Sequence, residues 1–90
     1  MNELIKIESK EICNESVQTV NARELHGFLD IRSKFATWIT NRISKYNFQE
    51  NLDFLSVSKI LENGGKMIEY FITLDMAKEL SMVENNDKGR

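Results

Sequence analysis

The chain has 90 residues, a formal net charge of −2, and 41% hydrophobic and 29% charged residues. This length allows one domain over residues 1–90, with a modest core expected within residues 17–84, and the composition is that of an ordinary globular protein. No apolar run approaches the roughly 18 residues that a membrane-spanning helix needs, and residues 1–11 lack the apolar region of a signal peptide. We therefore expect a protein without a membrane partner.

The sequence holds one cysteine, Cys13, and one histidine, His26. A lone cysteine excludes an internal disulfide and suits a reducing cytoplasm, where we expect it as a small, half-buried residue. These two side chains are too few for a structural zinc site, which needs about four protein ligands. No nucleophile–base set or phosphate-binding loop stands out either. The sequence therefore predicts no enzyme, no cofactor and no small-molecule substrate, and a structural or surface role for His26 instead of a catalytic one.

The first predicted elements are short. The apolar residues at positions 4, 5 and 7 fit either a short strand or an irregular lead-in, and residues 8–16 are polar and ambiguous. Residues 17–20 alternate and are rich in β-branched side chains, which predicts a short strand that runs into a helix.

Asn21 predicts the start of a first helix, because its side chain can cap the helix and Glu24 can complete a capping box. Leu25, Phe28 and Leu29 then form one apolar face at helical spacing.

A second helix follows, with Ser33 as its predicted cap and Asn47 as its end, because asparagine tolerates the left-handed conformation. Its apolar positions recur at helical spacing: Phe35, Trp38, Ile39, Ile43 and Tyr46. Only residues 30–32 remain for the turn between the helices, and this length is typical of a helix-turn-helix unit.

A hairpin and a third helix complete the chain. Residues 54–61 and 67–73 are predicted strands, and Asn63-Gly64 between them supplies the positive φ of a tight turn. Thr73 is the predicted cap of the last helix, whose apolar stripe comprises Met76, Ala77, Leu80 and Val83. This order predicts an α+β fold: a small winged-helix-like domain in which a helix-turn-helix pair is followed by a β-hairpin and a C-terminal helix.

Positive charge is concentrated on the second helix. Residues 31–49 hold four basic and no acidic residues, whereas residues 1–30 hold three basic against six acidic, and residues 50–90 five against eight. Lysine and arginine suit phosphates, asparagine suits adenine, and hydroxyls suit backbone oxygens. The predicted DNA-binding residues are Arg32, Lys34, Thr37, Asn41, Ser44, Lys45 and, at the hairpin tip, Lys66. The alternative is a solvated helix face and an ordinary turn that contact nothing.

Three further residues carry expectations about packing. Trp38 is expected in the core, with its indole N–H bound to a partner. Arg42 lies on the apolar stripe, where it packs its stem or pairs with a carboxylate. Gly27 in the first helix either allows a close approach of a neighbour or is simply tolerated, at a cost of about 1 kcal/mol relative to alanine.

Several separate motifs resemble the N-terminal domain of AntA/AntB-type phage antirepressors. They are, in family order, V-N-A-R-E-L-H (20–26), F-x-x-W-I (35–39), N-x-D-F (51–54), L-D-M-A-K-E-L (74–80) and N-x-K-G-R (86–90). Two departures from the family pattern are Gly27, where a bulkier polar residue is usual, and Asn47, where glycine is usual.

The resemblance implies a prophage-encoded regulator in the cytoplasm of a bacterial host cell, which relieves repression by the phage repressor and promotes lytic gene expression. Family members commonly continue past the position of Arg90, so the resemblance also implies the N-terminal part of a longer protein. The implied partners are the phage repressor protein, double-stranded DNA, or both.

Two modes of action fit these expectations. In the first, the domain binds DNA through its second helix, as a homodimer that reads two half-sites. In the second, it is a protein-interaction module that binds the repressor or self-associates without contacting DNA. The acidic flanks, with Glu3, Glu8, Glu62 and Glu69, would then face a basic DNA-binding surface of the repressor.

Overall fold

The computed structural model describes residues 6–88 of the chain, and the side chains as far as residue 84. The predicted lead-in at positions 4 and 5, and Glu3, lie outside these residues. Two strands open the fold, two helices follow, and a second pair of strands leads into a last helix. The elements are β1 (Ile7–Ile12), β2 (Glu15–Asn21), α1 (Ala22–Phe28), α2 (Phe35–Tyr46), β3 (Phe54–Ile60), β4 (Lys66–Thr73) and α3 (Leu74–Lys88).

The four strands form one antiparallel sheet in the order β1-β2-β4-β3. β2 pairs with β4 only over residues 19–21 and 71–73, whereas the β1–β2 and β3–β4 hairpins pair over nearly their whole length. Because β2 and β4 are antiparallel, the two hairpins project in opposite directions from this short central junction. The sheet curls, so that Lys10 Nζ on β1 lies 4.2 Å from the centroid of the Phe71 ring on β4.

The prediction of a winged-helix-like domain, with a helix pair, then a hairpin, then a helix, is wrong. Two strands precede the helices, and the β3–β4 hairpin is half of a continuous four-stranded sheet instead of a separate wing. The predicted strand at 17–20, the hairpin and the third helix are all present. What changes the architecture is that most of β1 and the first part of β2 fall within the ambiguous residues 8–16.

The turn between β1 and β2 gives no strong signal in the sequence. Its two residues, Cys13 and Asn14, both have positive φ, of 53° and 65°, and Ile12 pairs directly with Glu15. This is the geometry of a two-residue hairpin turn, in which Asn-Gly or Asp-Gly is usual. Because no glycine marks the turn and β1 is polar, local sequence signals do not predict this hairpin.

Cys13 is exposed, so the expectation of a half-buried cysteine is wrong. A hairpin tip at the end of a sheet has no layer above it. The Cys13 thiol donates a hydrogen bond to the backbone carbonyl of Asn51. This bond ties the first hairpin to the loop before β3.

α1 begins at the predicted cap, but its connection to α2 is longer than predicted. The side-chain oxygen of Asn21 accepts a hydrogen bond from the Arg23 N–H at 2.8 Å. The connection takes residues 29–34 and not only 30–32, and Ser33 does not cap α2. Lys34 holds the cap position without a side-chain capping bond. At the other end, Asn47 stops α2 in the left-handed conformation, with φ 61°, as predicted.

The helices cover one face of the sheet. Cross-strand pairing places Val20, Phe54 and Ile72 on that face, where all three are buried. Removing side chains of this size from water contributes about 1.5–3 kcal/mol each, so this layer holds the fold together. The buried cluster consists of Val20, Ala22, Leu25, Phe35, Trp38, Ile39, Phe54, Ile72, Met76 and Leu80.

The second half of the chain follows the predicted local rules. Gly64 has φ +88° in the β3–β4 turn, and Asn63 accepts a hydrogen bond from the Gly65 N–H at 2.9 Å. Thr73 Oγ1 accepts a hydrogen bond from the Met76 N–H at 3.2 Å and so caps α3. Gly27 has no atom within 4 Å of the position that a Cβ would occupy, so it serves no close approach and is simply tolerated.

Candidate nucleic-acid interface

α2 carries four of the seven predicted DNA-binding residues, and its inner face fixes its orientation. Phe35, Trp38 and Ile39 are buried against the sheet and the other helices. The Arg23 guanidinium from α1 lies 4.4 Å from the centroid of the Phe35 ring. The buried inner face therefore fixes the rotational orientation of α2 about its own axis.

The outer face of α2 presents an exposed row of side chains, which we name the polar strip: Thr37, Asn41, Ser44 and Lys45. These positions recur at i, i+4, i+7 and i+8, so they lie along one side of the helix. The strip is about 12 Å long at 1.5 Å per residue. α2 itself contains no acidic residue. The strip thus offers hydroxyl, amide and ammonium groups with no carboxylate from the same helix among them.

Arg32 and Lys34 lie in the connection before α2 and are exposed. A hydrogen bond of 2.7 Å joins His26 Nε2 on α1 to the Ser33 carbonyl between them, with the ring N–H as the donor. The His26 ring also lies 5.4 Å from Trp38 and 5.7 Å from Phe35, measured between ring centroids. The structural role predicted for His26 is therefore confirmed, and it positions the loop that carries two basic residues.

A buried carboxylate on α3 holds the middle of α2. Glu84 Oε2 accepts hydrogen bonds from Trp38 Nε1 at 3.1 Å and from Arg42 Nε at 2.8 Å, and Arg42 Nη2 lies 2.8 Å from the same oxygen. Both expectations are confirmed: the indole has a partner, and Arg42 pairs with a carboxylate. Since Arg42 is neutralised in this way, the exposed positive charge of the region comes from Arg32, Lys34 and Lys45.

The structure separates Lys66 from the other predicted site residues. Lys66 is the first residue of β4, at the base of the hairpin turn, and lies on a different element from α2. Lys59 is a second exposed basic residue on this hairpin and lies outside the predicted set. Because Lys59 pairs with Met67 and Lys66 with Ile60, the two lysines project from opposite faces of the hairpin. The sequence spacing of the two lysines does not show that they point to opposite faces, whereas the pairing register of the strands does.

A different surface lies between the end of α2 and α3. Tyr46, Phe48, Met82 and Val83 line a cavity of about 280 Å³ there. Met82 is 61% exposed, and it also borders an open groove of about 430 Å³ along α3. This apolar surface suits a protein partner better than it suits a nucleic acid.

Within the described part of the chain, none of the helices combines the length and apolar character that crossing a bilayer requires. Over the same residues, no three side chains of histidine, cysteine, aspartate or glutamate come together as a metal site would need.

A comparison with known protein families identifies the family of this chain. The family model described as AntA/AntB antirepressor matches residues 20–86. The chain belongs to the AntA/AntB antirepressor family. The match begins at the end of β2 and covers α1, α2, the β3–β4 hairpin and most of α3, whereas β1 lies before it. No curated protein and no solved structure matches the chain.

Membership of the AntA/AntB family indicates an antirepressor role in a phage. This is a regulatory and not an enzymatic role, and it agrees with the resemblance noted in the sequence. The matched residues include α2 with its polar strip and also the apolar surface beside Met82. Both candidate surfaces therefore belong to the family domain.

Proposed function

We propose that this domain acts as an antirepressor by binding double-stranded DNA through the outer face of α2. The observation that carries the proposal is the polar strip, whose four side chains are all exposed on a helix without acidic residues. Arg32 and Lys34 add positive charge in the connection that precedes this helix. An exposed helix of this kind suits the major groove, which is about 12 Å wide.

The side chains divide into two roles. Lys34, Lys45 and Arg32 would neutralise phosphates, because ammonium and guanidinium groups supply most of the affinity for a DNA backbone. Asn41 would read a base edge, since an asparagine amide can bind adenine through two hydrogen bonds. Its side-chain oxygen accepts a hydrogen bond from Arg42 Nη1 at 3.0 Å, and this bond orients the amide.

Alanine variants of the α2 face test the proposal. Binding of operator DNA from the phage genome that encodes this chain is measured for Lys34→Ala, Lys45→Ala and Asn41→Ala. Each lysine variant should bind more weakly to all sequences and reduce the slope of log affinity against log salt by about 1. Asn41→Ala should cost about 1–3 kcal/mol on the operator and lose preference for it over other DNA.

The matched control is Lys78→Ala, which removes an exposed lysine from α3. It should leave operator binding unchanged. If the α2 variants bind DNA as the wild type does, or if Lys78→Ala weakens binding as much as they do, α2 is not the DNA-binding element.

The apolar surface beside Met82 supports a second candidate, in which the domain binds the phage repressor protein. Met82→Glu would place a charge on this surface and should abolish capture of the purified repressor while leaving DNA binding intact.

Mimicry of DNA by the acidic flanks is less well supported. Glu69 is buried and pairs with Arg23 at 3.3 Å, and Glu8 lies 3.6 Å from Lys10 Nζ.

A further inference from the structure

The sheet has two outer strands, β1 and β3, and they differ in how well their edges are protected. β1 carries Glu8, Lys10 and Glu11 within six residues. Charged side chains of this kind discourage pairing with another chain. β3 carries one charged residue, Lys59, and exposes Val57 at 38% and Ile60 at 78%. A long, largely uncharged edge is open to another strand.

The hydrogen bonds at the two ends of the β3–β4 ladder show which groups of β3 point outward. The Leu61 N–H donates to the Gly65 carbonyl at 2.8 Å, and the Thr73 N–H donates to the Asp53 carbonyl at 3.0 Å. Residues 61 and 53 therefore face β4, and in an antiparallel ladder every second residue between them does the same. The N–H and C=O groups of residues 56, 58 and 60 consequently point toward the free edge.

The beginning of this edge is already covered by the chain itself. The Asn51 N–H donates to the Phe54 carbonyl at 2.7 Å, and Glu50 forms an isolated bridge with Phe54. The Ser56 hydroxyl bonds to the Glu50 carboxylate. Among the residues that the structure describes, the open part of the edge therefore runs from Ser56 to Ile60.

We propose that a second copy of this chain pairs with β3 along this open edge, antiparallel, with the twofold axis at Ser58. In this register Ser58 faces Ser58 of the other copy, and Ser56 faces Ile60. Each outward N–H and C=O group of these residues then meets a partner, as an antiparallel ladder requires. Lys59 lies opposite Val57, so no two like charges oppose each other.

The neighbouring registers are less favourable. An axis at Lys59 would place two lysines directly opposite each other, which is destabilising. An axis at Val57 would bring Ile60 opposite Phe54, whose carbonyl already accepts the bond from Asn51. The symmetric register at Ser58 is therefore the most favourable of the three. The resulting interface is isologous, as in most homodimers.

The contact is one strand pair and not a packed face, so the dimer is weak and its population depends on concentration. The proposal goes beyond the proposed function, because it makes no use of DNA. It can be tested independently of DNA binding by α2. Its test is sedimentation equilibrium of the 90-residue chain without DNA, over concentrations that extend to the millimolar range.

The decisive variant is Ser58→Pro, which removes an outward N–H and leaves the β4 ladder intact, because proline is tolerated on edge strands. It should weaken dimerisation by roughly tenfold or more, since both copies lose a hydrogen bond at the axis. The matched control is Ser9→Pro on β1. Because Ile12 and Glu15 flank a two-residue turn and pair directly, Ser9 also directs its N–H outward, on the other edge. It should leave the dimer unchanged.

A cysteine cross-link keeps the test decisive if Ser58→Pro fails to fold. In a Cys13→Ser background, Ser58→Cys should form an intermolecular disulfide under mild oxidation, since directly opposed residues lie at about 5.5 Å between Cα atoms. Ser9→Cys in the same background is the control and should not. A wild-type chain that stays monomeric throughout, or equal cross-linking at both positions, overturns the proposal and leaves the β3 edge to a different partner.

Discussion

The indole Nε1 of Trp38 donates a hydrogen bond to Glu84 Oε2 at 3.1 Å, across the interface between α2 and α3. Trp38 is 3% exposed and Glu84 is 8% exposed, so this bond lies in the core. The same carboxylate pairs with Arg42. One buried acidic residue near the end of α3 thus fixes the helix whose outer face carries the polar strip.

Replacing Glu84 should therefore destabilise the fold. Glu84→Ala leaves the Trp38 N–H and the Arg42 guanidinium without their acceptor, and we expect a loss of about 2–4 kcal/mol in the free energy of unfolding. Glu84→Gln keeps an acceptor oxygen and should lose less. Urea denaturation measures both, with Glu79→Ala, on the exposed side of α3, as the control. A Glu84→Ala variant as stable as this control would refute the account of the α2–α3 interface.

The end of α2 offers a second prediction. Asn47 adopts φ 61° and ψ 37°, a conformation that costs residues other than glycine about 1–2 kcal/mol, and asparagine less than most. Asn47→Ala should lower the free energy of unfolding by about 1 kcal/mol, whereas Asn47→Gly should fold at least as stably as the wild type. Thermal melts followed by circular dichroism compare the two. Equal melting temperatures for both variants would contradict the assigned backbone conformation.

The first hairpin gives a third prediction. Cys13 and Asn14 both have positive φ, and glycine is the preferred second residue of such a turn. Asn14→Gly should raise the free energy of unfolding by about 0.5–1 kcal/mol, which urea denaturation can resolve. Asn63→Gly serves as the comparison, because it removes the bond from Gly65 N–H in the other hairpin turn and should destabilise. A destabilised Asn14→Gly variant would mean that β1 and β2 are not joined by this turn.

Local signals in the sequence predicted the local structure well where the relevant residues are close together. Asn21 and Thr73 cap the predicted helices, Asn47 ends α2, and Gly64 makes the hairpin turn. In each case, the residue type and its immediate neighbours determine the conformation. By contrast, Ser33 has a good capping side chain, but Lys34 takes the cap position, and the Ser33 carbonyl binds His26. A tertiary contact prevailed there over a local preference.

The predicted architecture is wrong because β1 forms through its pairing with β2, and its own sequence carries no strong strand signal. Its six residues are stabilised by the ladder with β2, and Cys13-Asn14 lacks the glycine that marks most such turns. Arg42 shows the same limit in the candidate site. Its place on the apolar stripe predicted that it would pair or pack, but not that its partner is 42 residues further along the chain. Strand order and contacts between distant residues can be determined only from the folded structure.

The central claim, that the outer face of α2 binds DNA, is tested most directly by fluorescence anisotropy of labelled operator DNA from the same phage genome. The chain is titrated into free DNA at two salt concentrations, and in parallel into DNA that already holds the phage repressor. We predict that anisotropy rises on free DNA and that the affinity falls steeply at the higher salt concentration, because phosphate contacts release counterions. No rise on free DNA, together with a fall from the repressor-bound value, would contradict the claim and make the domain a repressor-binding module.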